Sequence, residues 1–457
     1  MGSATRVLLA LAGTTLVGFA ASMRFTRSLR ATERTAWALA TGLLVQSILV
    51  LLFAAAGLSL RPPGLFAAGA LLLIGLAVAS SSRIRRAPEA ATLPPPVPGA
   101  AVLTRILFGA ALSAWGLFFL SAVSEPMWST DFLAIWGLKG KTIFETDGLP
   151  ARLFRDPALY WAHREYPLLV PLSLAALAGL AGEWNDQALA LLFPAAALAT
   201  LFAISGFLSR RGRATAGAAA ALLAALCFRL YHPVNAGTAE VPFALGAVLM
   251  ACAFLDLLER DGRDARVRVA VAALFCAAAK QEGTLWAALL GLTFLFLRRR
   301  HGRRRGTMLS AAAFALPPAA HWILLFLLRG PETRRDFDFH FFEPGGWAAL
   351  AHRFADVVQR VATTEAREAA VPLAAIVLFL LVTRRSLADA ILPALTVQIV
   401  FYFLAFSVSS FDPMYAVDGA FRRIALTLFP ALTLVLGARL DGPGPGAAHR
   451  AATDASQ

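Results

Sequence analysis

Residues 187–213 read QALALLFPAAALATLFAISGFLSRRGR. From Gln187 to Leu208 the run holds no charged side chain, and at ~1.5 Å rise per residue it is long enough to cross a ~30 Å hydrocarbon core. It ends on Arg210, Arg211 and Arg213. Lipid offers no partners to backbone amides, so such a run must close its hydrogen bonds internally, as a helix.

The same unit recurs. Apolar stretches run over Thr35 to Gly57, Ile106 to Val123 and Leu387 to Phe406. Across 457 residues, 58% are hydrophobic, 15% are charged and mean hydropathy is +0.66. Soluble domains carry roughly a quarter charged residues, so the solvent of this chain is a bilayer. A net charge of +14 would suggest nucleic acid in a soluble protein. Here the arginines fall in short loops between spans, so they set topology and no nucleic-acid partner is expected. Cys227, Cys252 and Cys276 lie inside apolar runs, where cysteine packs as a small hydrophobe.

Arginine gathers in alternate loops: Arg24 to Arg34, Arg83 to Arg86, Arg210 to Arg213, Arg260 to Arg268, Arg298 to Arg305, and Arg384 with Arg385. The positive-inside rule makes these cytoplasmic. The turn at Arg61 and the segments Glu125 to Asp186, Tyr231 to Glu240, Lys280 to Gly283, Arg329 to Ala369 and Ser407 to Ala420 then face outward. Leu168 to Leu180 is apolar but short, and a crossing there would reverse every later basic loop. It is expected to lie in the outer interface, its start marked by Pro167 and Pro171. Val267 to Ala279 and Thr284 to Leu297 are also short, and are expected to be shallow helices meeting at Lys280.

The expected fold is all-α and polytopic, with about thirteen transmembrane helices. Residues 1–101 form N-terminal helices and a Pro-rich cytoplasmic linker. Residues 102–328 form a transmembrane module whose first outer loop is 124–186. Residues 329–440 hold a second outer loop and the last helices, and 441–457 form a disordered cytoplasmic tail.

Candidate chemistry lies on the outward side. Asp131 sits between Trp128 and Trp136, and a helix over Asp131 to Lys141 would put Asp131 and Ile135 on one side, with Lys139 on the same face. Interface anchoring explains the tryptophans equally well. His163, Arg164, Glu165 and Tyr166 precede the interfacial helix and suit either a lipid headgroup or plain anchoring. Glu240 stands before Pro242 at a helix mouth, as a dipole partner or as a site residue. Only Lys139, Lys141 and Lys280 among the 42 basic residues are lysine, all on the outward side. Lys280 could meet a phosphate as a point charge, or pair with Glu282 or Glu240. Arg422 and Arg423 lie where the positive-inside rule would not put them, which leaves phosphate or an ion pair with Asp412 or Asp418. The stretch Arg334 to Glu343 mixes aromatic and charged residues and could touch sugar or lipid. Glycine-rich phosphate loops, nucleophile elbows and HExxH motifs are absent from the sequence.

Taken in order, Asp131, then Tyr166-Pro167-Leu168, Glu240 with Pro242, the Lys280-x-Glu282-Gly283 turn and Arg422 or Arg423 resemble the GT-C glycosyltransferases, of the protein mannosyltransferase and aminoarabinose transferase kind. The resemblance runs from the fourth span onward. It departs at Thr130-Asp131, where many relatives have paired acids, and at Glu240, where many have Asp.

The resemblance implies two large periplasmic loops with juxtamembrane helices, a bacterial inner membrane and a periplasmic active face. It implies an inverting transfer from a polyprenyl-phosphate sugar to a lipid, glycan or protein acceptor, with a divalent cation left open. Asp131 would be the general base. Lys280, Arg422 and Arg423 would bind the donor phosphate, and Glu240, Glu282, Lys139, His163 and Tyr166 would position substrate. The competing expectations are a transporter or flippase for lipid-linked sugars and a non-catalytic assembly subunit.

Overall fold

The computed structural model describes residues 1–61, 64, 69–71, 75, 98–230, 237–300, 306–329, 343, 345–365, 375–409, 412, 417–421, 423–424 and 427–440. Among them the chain is all-helical, 83% helix with no strand. Seven of the described helices are long and apolar enough to cross a membrane. The chain is a polytopic helical membrane protein.

Helices α1 (Ser3–Thr26) and α2 (Ala31–Ala55) form an antiparallel pair. They touch where a side chain on Gly18 would strike the Ala38 carbonyl and the Gly42 backbone, so small residues set their approach. Then follow α3 (Pro98–Ser124), the short α4 (Gly137–Glu145) and α5 (Leu169–Ala181). Next come α6 (Leu192–Arg210), α7 (Ala214–Leu230), α8 (Glu240–Glu259), α9 (Arg263–Ala279), α10 (Glu282–Arg300) and α11 (Thr307–Arg329). The last are α12 (Trp347–Arg360), α13 (Leu392–Ser407) and α14 (Phe429–Leu440).

Helix α8 is buried from Glu240 to Leu257, as a helix apolar all round must be at a bundle's centre. Outer helices show large apolar side chains to their surroundings, among them Ile106, Leu117 and Leu120 on α3 and Leu316, Ile323 and Phe326 on α11. Such a surface needs lipid rather than water.

Ion pairs sort the loops into two ends. At one end Arg210 pairs with Glu33 at 2.9 Å and Asp256 at 3.0 Å, Arg211 with Asp256 at 2.9 Å and Glu259 at 2.7 Å, and Arg268 with Asp256 at 3.2 Å. Arg298 and Arg266 meet Asp261 at the same end, at 2.6 and 2.8 Å, and Arg439 of α14 meets Asp389. At the other end Asp147 accepts from the amide of Leu60, Gln281 donates to the carbonyl of Glu165, Arg155 to that of Leu328 and Arg353 to that of Ser407. The described basic loops therefore gather at one end and the segments expected outward at the other.

Two expectations change. Helix α5 begins just after Glu165, which touches Gln281, and ends at Gly182 (φ 80), whose left-handed turn leads to Glu183, paired with Arg6 of α1. It leaves at the end where it entered and so does not cross, as the loop charges require. However, every residue from Leu169 to Ala181 is buried in protein, against α4 on one side and α1 and α2 on the other. It is an internal helix at the end opposite the arginine loops, covered by protein on every side. Helices α9 and α10 are longer than their apolar runs. Their arginine-bearing turns extend them to 17 and 19 residues, and both reach Asp261 at the basic end.

The Pro-rich segment 93–98, the stretch 334–343 except Glu343, the tail from Asp441 and Arg422 lie outside the described residues or hold no described side chain.

Candidate functional site

The site starts with an irregular turn. Phe132–Trp136 is a π-helical turn in which the amide of Gly137 bonds to the carbonyl of Phe132. Bonds from i to i+5 stack residues five apart, so Trp136 rather than Ile135 falls in line with Asp131. Such single π-turns tend to occur where a side chain must be re-aimed. A second π-turn, Val417–Phe421, leads into Arg423. Buried Val417 and Phe421 anchor it, the Phe421 ring lying 5.0 Å from that of Phe403.

The two turns deliver a pair: Nη1 of Arg423 donates to Oδ2 of Asp131. The same nitrogen is 3.1 Å from Oε1 of Glu240. Lys280 reaches that same Oε1 at 3.1 Å and Oε1 of Glu282 at 3.0 Å. Glu240 opens α8, Lys280 caps α9 and Glu282 opens α10. Five side chains from four segments, Lys280 and Glu282 sharing one turn, thus form one chain of charge, Asp131–Arg423–Glu240–Lys280–Glu282. Glu240 is 2% exposed and Lys280 7%, whereas the Asp131 side chain is 30% exposed and forms the open edge.

Around this chain lie aromatic and polar walls. Tyr166 adds to the electrostatic surroundings of Arg423, and its ring packs 5.6 Å from Trp136 and 4.6 Å from His163. On the inner side Tyr402 of α13, 2% exposed, is hydrogen-bonded by Gln398 and Thr427 and lies beside Glu282 and Glu240. Neither Gln398 nor Tyr402 stood out in the sequence. A glutamine four residues before a tyrosine inside an apolar span was the available signal, since polar groups in such spans seldom go unused.

Several expected roles change. Lys139 does not accompany Asp131. It is fully buried and donates to the carbonyl of His163 at 2.6 Å, so it clips the loop rather than meeting a ligand. Loss of water pushes its pKa down to about 7, against the pull of Glu165. His163 takes a left-handed backbone (φ 49), a costly conformation for a non-glycine residue, and this clip holds it there. Its ring faces Glu165 at 3.1 Å.

Lys280 takes the ion-pair alternative, with both Glu240 and Glu282. Arg423 also pairs, but with Asp131 and Glu240 rather than with Asp412 or Asp418. Asp418 is held instead by two bonds from Arg360 of α12, at 2.8 and 2.6 Å. The three carboxylates are thus engaged by two cations. Among the described residues no three His, Cys, Asp or Glu side chains converge as metal ligands.

Chemically, the arrangement offers one accessible carboxylate, a guanidinium that fixes its direction, and a buried, paired lysine behind them. Compared with protein families, curated proteins and solved structures, the chain matches none.

Proposed function

We propose that this chain is an inverting glycosyltransferase, similar in plan to the GT-C enzymes, with about thirteen spans in a bacterial inner membrane and its active face periplasmic. One observation carries the reading. Asp131, Glu240, Lys280, Glu282 and Arg423 meet in one cluster at the end opposite the arginine loops, and Asp131 is its most accessible carboxylate. The positive-inside rule makes that end the outer one.

In this reading a polyprenyl-phosphate sugar enters from the outer leaflet. The acceptor hydroxyl oxygen attacks the anomeric carbon from the side opposite the lipid phosphate. As the new carbon–oxygen bond forms, the bond to the phosphate oxygen breaks and its electron pair leaves with the lipid phosphate. Asp131 takes the acceptor's proton, for which it must lie within hydrogen-bond reach. Arg423 fixes the carboxylate's direction, and the buried Glu240–Lys280 pair holds Arg423.

The test is transfer of labelled sugar from a polyprenyl-phosphate donor in proteoliposomes, with lipid, glycan and peptide acceptors. Activity in the wild type that is lost in Asp131→Asn supports the reading. Equal rates in the two proteins would remove Asp131 as the base.

A further inference from the structure

The cations of the cluster are already matched. Asp131, Glu240 and Glu282 face Lys280 and Arg423, one carboxylate more than cations among the described residues. A phosphate brought against Lys280 would stand beside Glu240 and Glu282, which lie 3.1 and 3.0 Å from its nitrogen. Like charges that close, in a site with little water, repel strongly.

What the site leaves unmet is hydrogen-bonding capacity, on the neutral side chains of Trp136 and Gln398 as well as on the paired Arg423 and Glu240. Gln398 is fully buried, and its Nε2 is used on Tyr402 at 3.2 Å and the Glu282 carbonyl at 3.5 Å. Its Oε1 has no partner among the described residues. Trp136 is 1% exposed, and its indole N–H also has no partner among them; the same holds for Nε of Arg423. Each such buried group is destabilising while unpaired. Oε2 of Glu240 is unpartnered among the described residues as well, and two donors with two acceptors suit hydroxyl groups, each of which gives and receives a bond. The rings of Trp136 and Tyr166 stand alongside and can pack on the C–H face of a saturated ring.

We propose that the cluster, with Trp136 on one side and Gln398 and Tyr402 on the other, holds the uncharged, hydroxyl-bearing sugar, and that the phosphate lies outside the Lys280–Arg423 pair. This rests on the lipid-linked sugar reading above and divides the ligand differently from the resemblance, which gave the phosphate to those two cations.

The experiment uses the full chain in lipid nanodiscs, with octyl glycosides of several sugars and octyl phosphate as probes. Binding is read by the shift in melting temperature and by tryptophan fluorescence. The expected result is that one octyl glycoside binds, and that Gln398→Leu and Tyr402→Phe weaken it roughly tenfold each, the factor for one lost hydrogen bond. Octyl phosphate is expected to bind no more weakly to Lys280→Gln than to wild type.

The inference is overturned if octyl phosphate binding is lost in Lys280→Gln, or if no glycoside binding depends on Gln398. Each variant's circular dichroism and gel-filtration profile identifies one that fails to fold, and Gln398→Glu then replaces Gln398→Leu. Failure of the transferase reading looks different: Gln398-dependent glycoside binding with no transfer keeps the sugar subsite and removes the enzyme.

Discussion

Arg423 donates to Asp131, 292 residues earlier in the chain, from the same nitrogen that lies 3.1 Å from Glu240, so one guanidinium ties the loop after α3 to the mouth of the central helix α8. Removing that cation leaves Glu240, 2% exposed, with Lys280 alone, and Lys280 is shared with Glu282. Arg423→Met should therefore cost about 3–5 kcal/mol, the range for breaking one partner out of a buried pair. Adding Glu240→Gln should recover part of the loss, because the stranded charge goes with it. Thermal and denaturant unfolding in detergent measures both, and additive losses would show that the two residues do not share an interaction.

Asp131 should be separable from stability. Its side chain is 30% exposed, and an amide can still accept from Arg423. Asp131→Asn is expected to melt within about 1 kcal/mol of wild type, as single changes at partly exposed positions usually do. Transfer should fall by roughly 10²–10⁴, the usual contribution of a general base. A variant that unfolds as readily as it loses activity would make Asp131 a structural residue.

The Lys-x-Glu-Gly turn works through close packing. A side chain on Gly283 would run into the carbonyl of Cys276 on α9, so only glycine lets α10 start against α9 with Lys280 between Glu240 and Glu282. Gly283→Ala should force the helices apart and cost about 1–3 kcal/mol, as overpacking does. Gly13, with nothing near its added carbon, is the control. If Gly13→Ala and Gly283→Ala melt alike, the close approach carries no energy.

Loop charge made the two ends legible, because ion pairing and membrane asymmetry act on the same arginines. It also identified Leu168 to Leu180 as a segment that does not cross. What it could not show was what covers that helix. Burial of α5 depends on α4 and on α1 with α2, a long-range matter that its own apolar residues leave open. The cluster was legible as a set of odd charges, Asp131, Glu240, Lys280, Glu282 and Arg423, each at a helix end away from the arginine loops. The pairing of Lys280 with Glu240 and Glu282 was legible as one alternative, but that of Arg423 with Asp131 was not, since it depends on two π-turns that shift the register by one residue each. Lys139 was misread for the same reason: spacing along an ideal α-helix put it near Asp131, whereas its ammonium goes to a loop carbonyl 24 residues on.

Lys139 also gives the loop a pH dependence of definite sign. Burial lowers its pKa from 10.5 to about 7, so between those values the unfolded chain binds a proton that the folded chain does not. Stability must then rise with pH across that window, and below about pH 7 the full cost of the buried charge is present. In Lys139→Met this slope disappears, while the His163 carbonyl keeps its bond from the Tyr166 amide and loses only the one from Lys139, a loss that does not vary with pH. The unfolding free energy of wild type relative to Lys139→Met should therefore climb between pH 7 and pH 10, by an amount on the order of one to a few kcal/mol, read from denaturant unfolding at each pH. A difference that stays level over that range would mean that Lys139 keeps its proton in the folded protein.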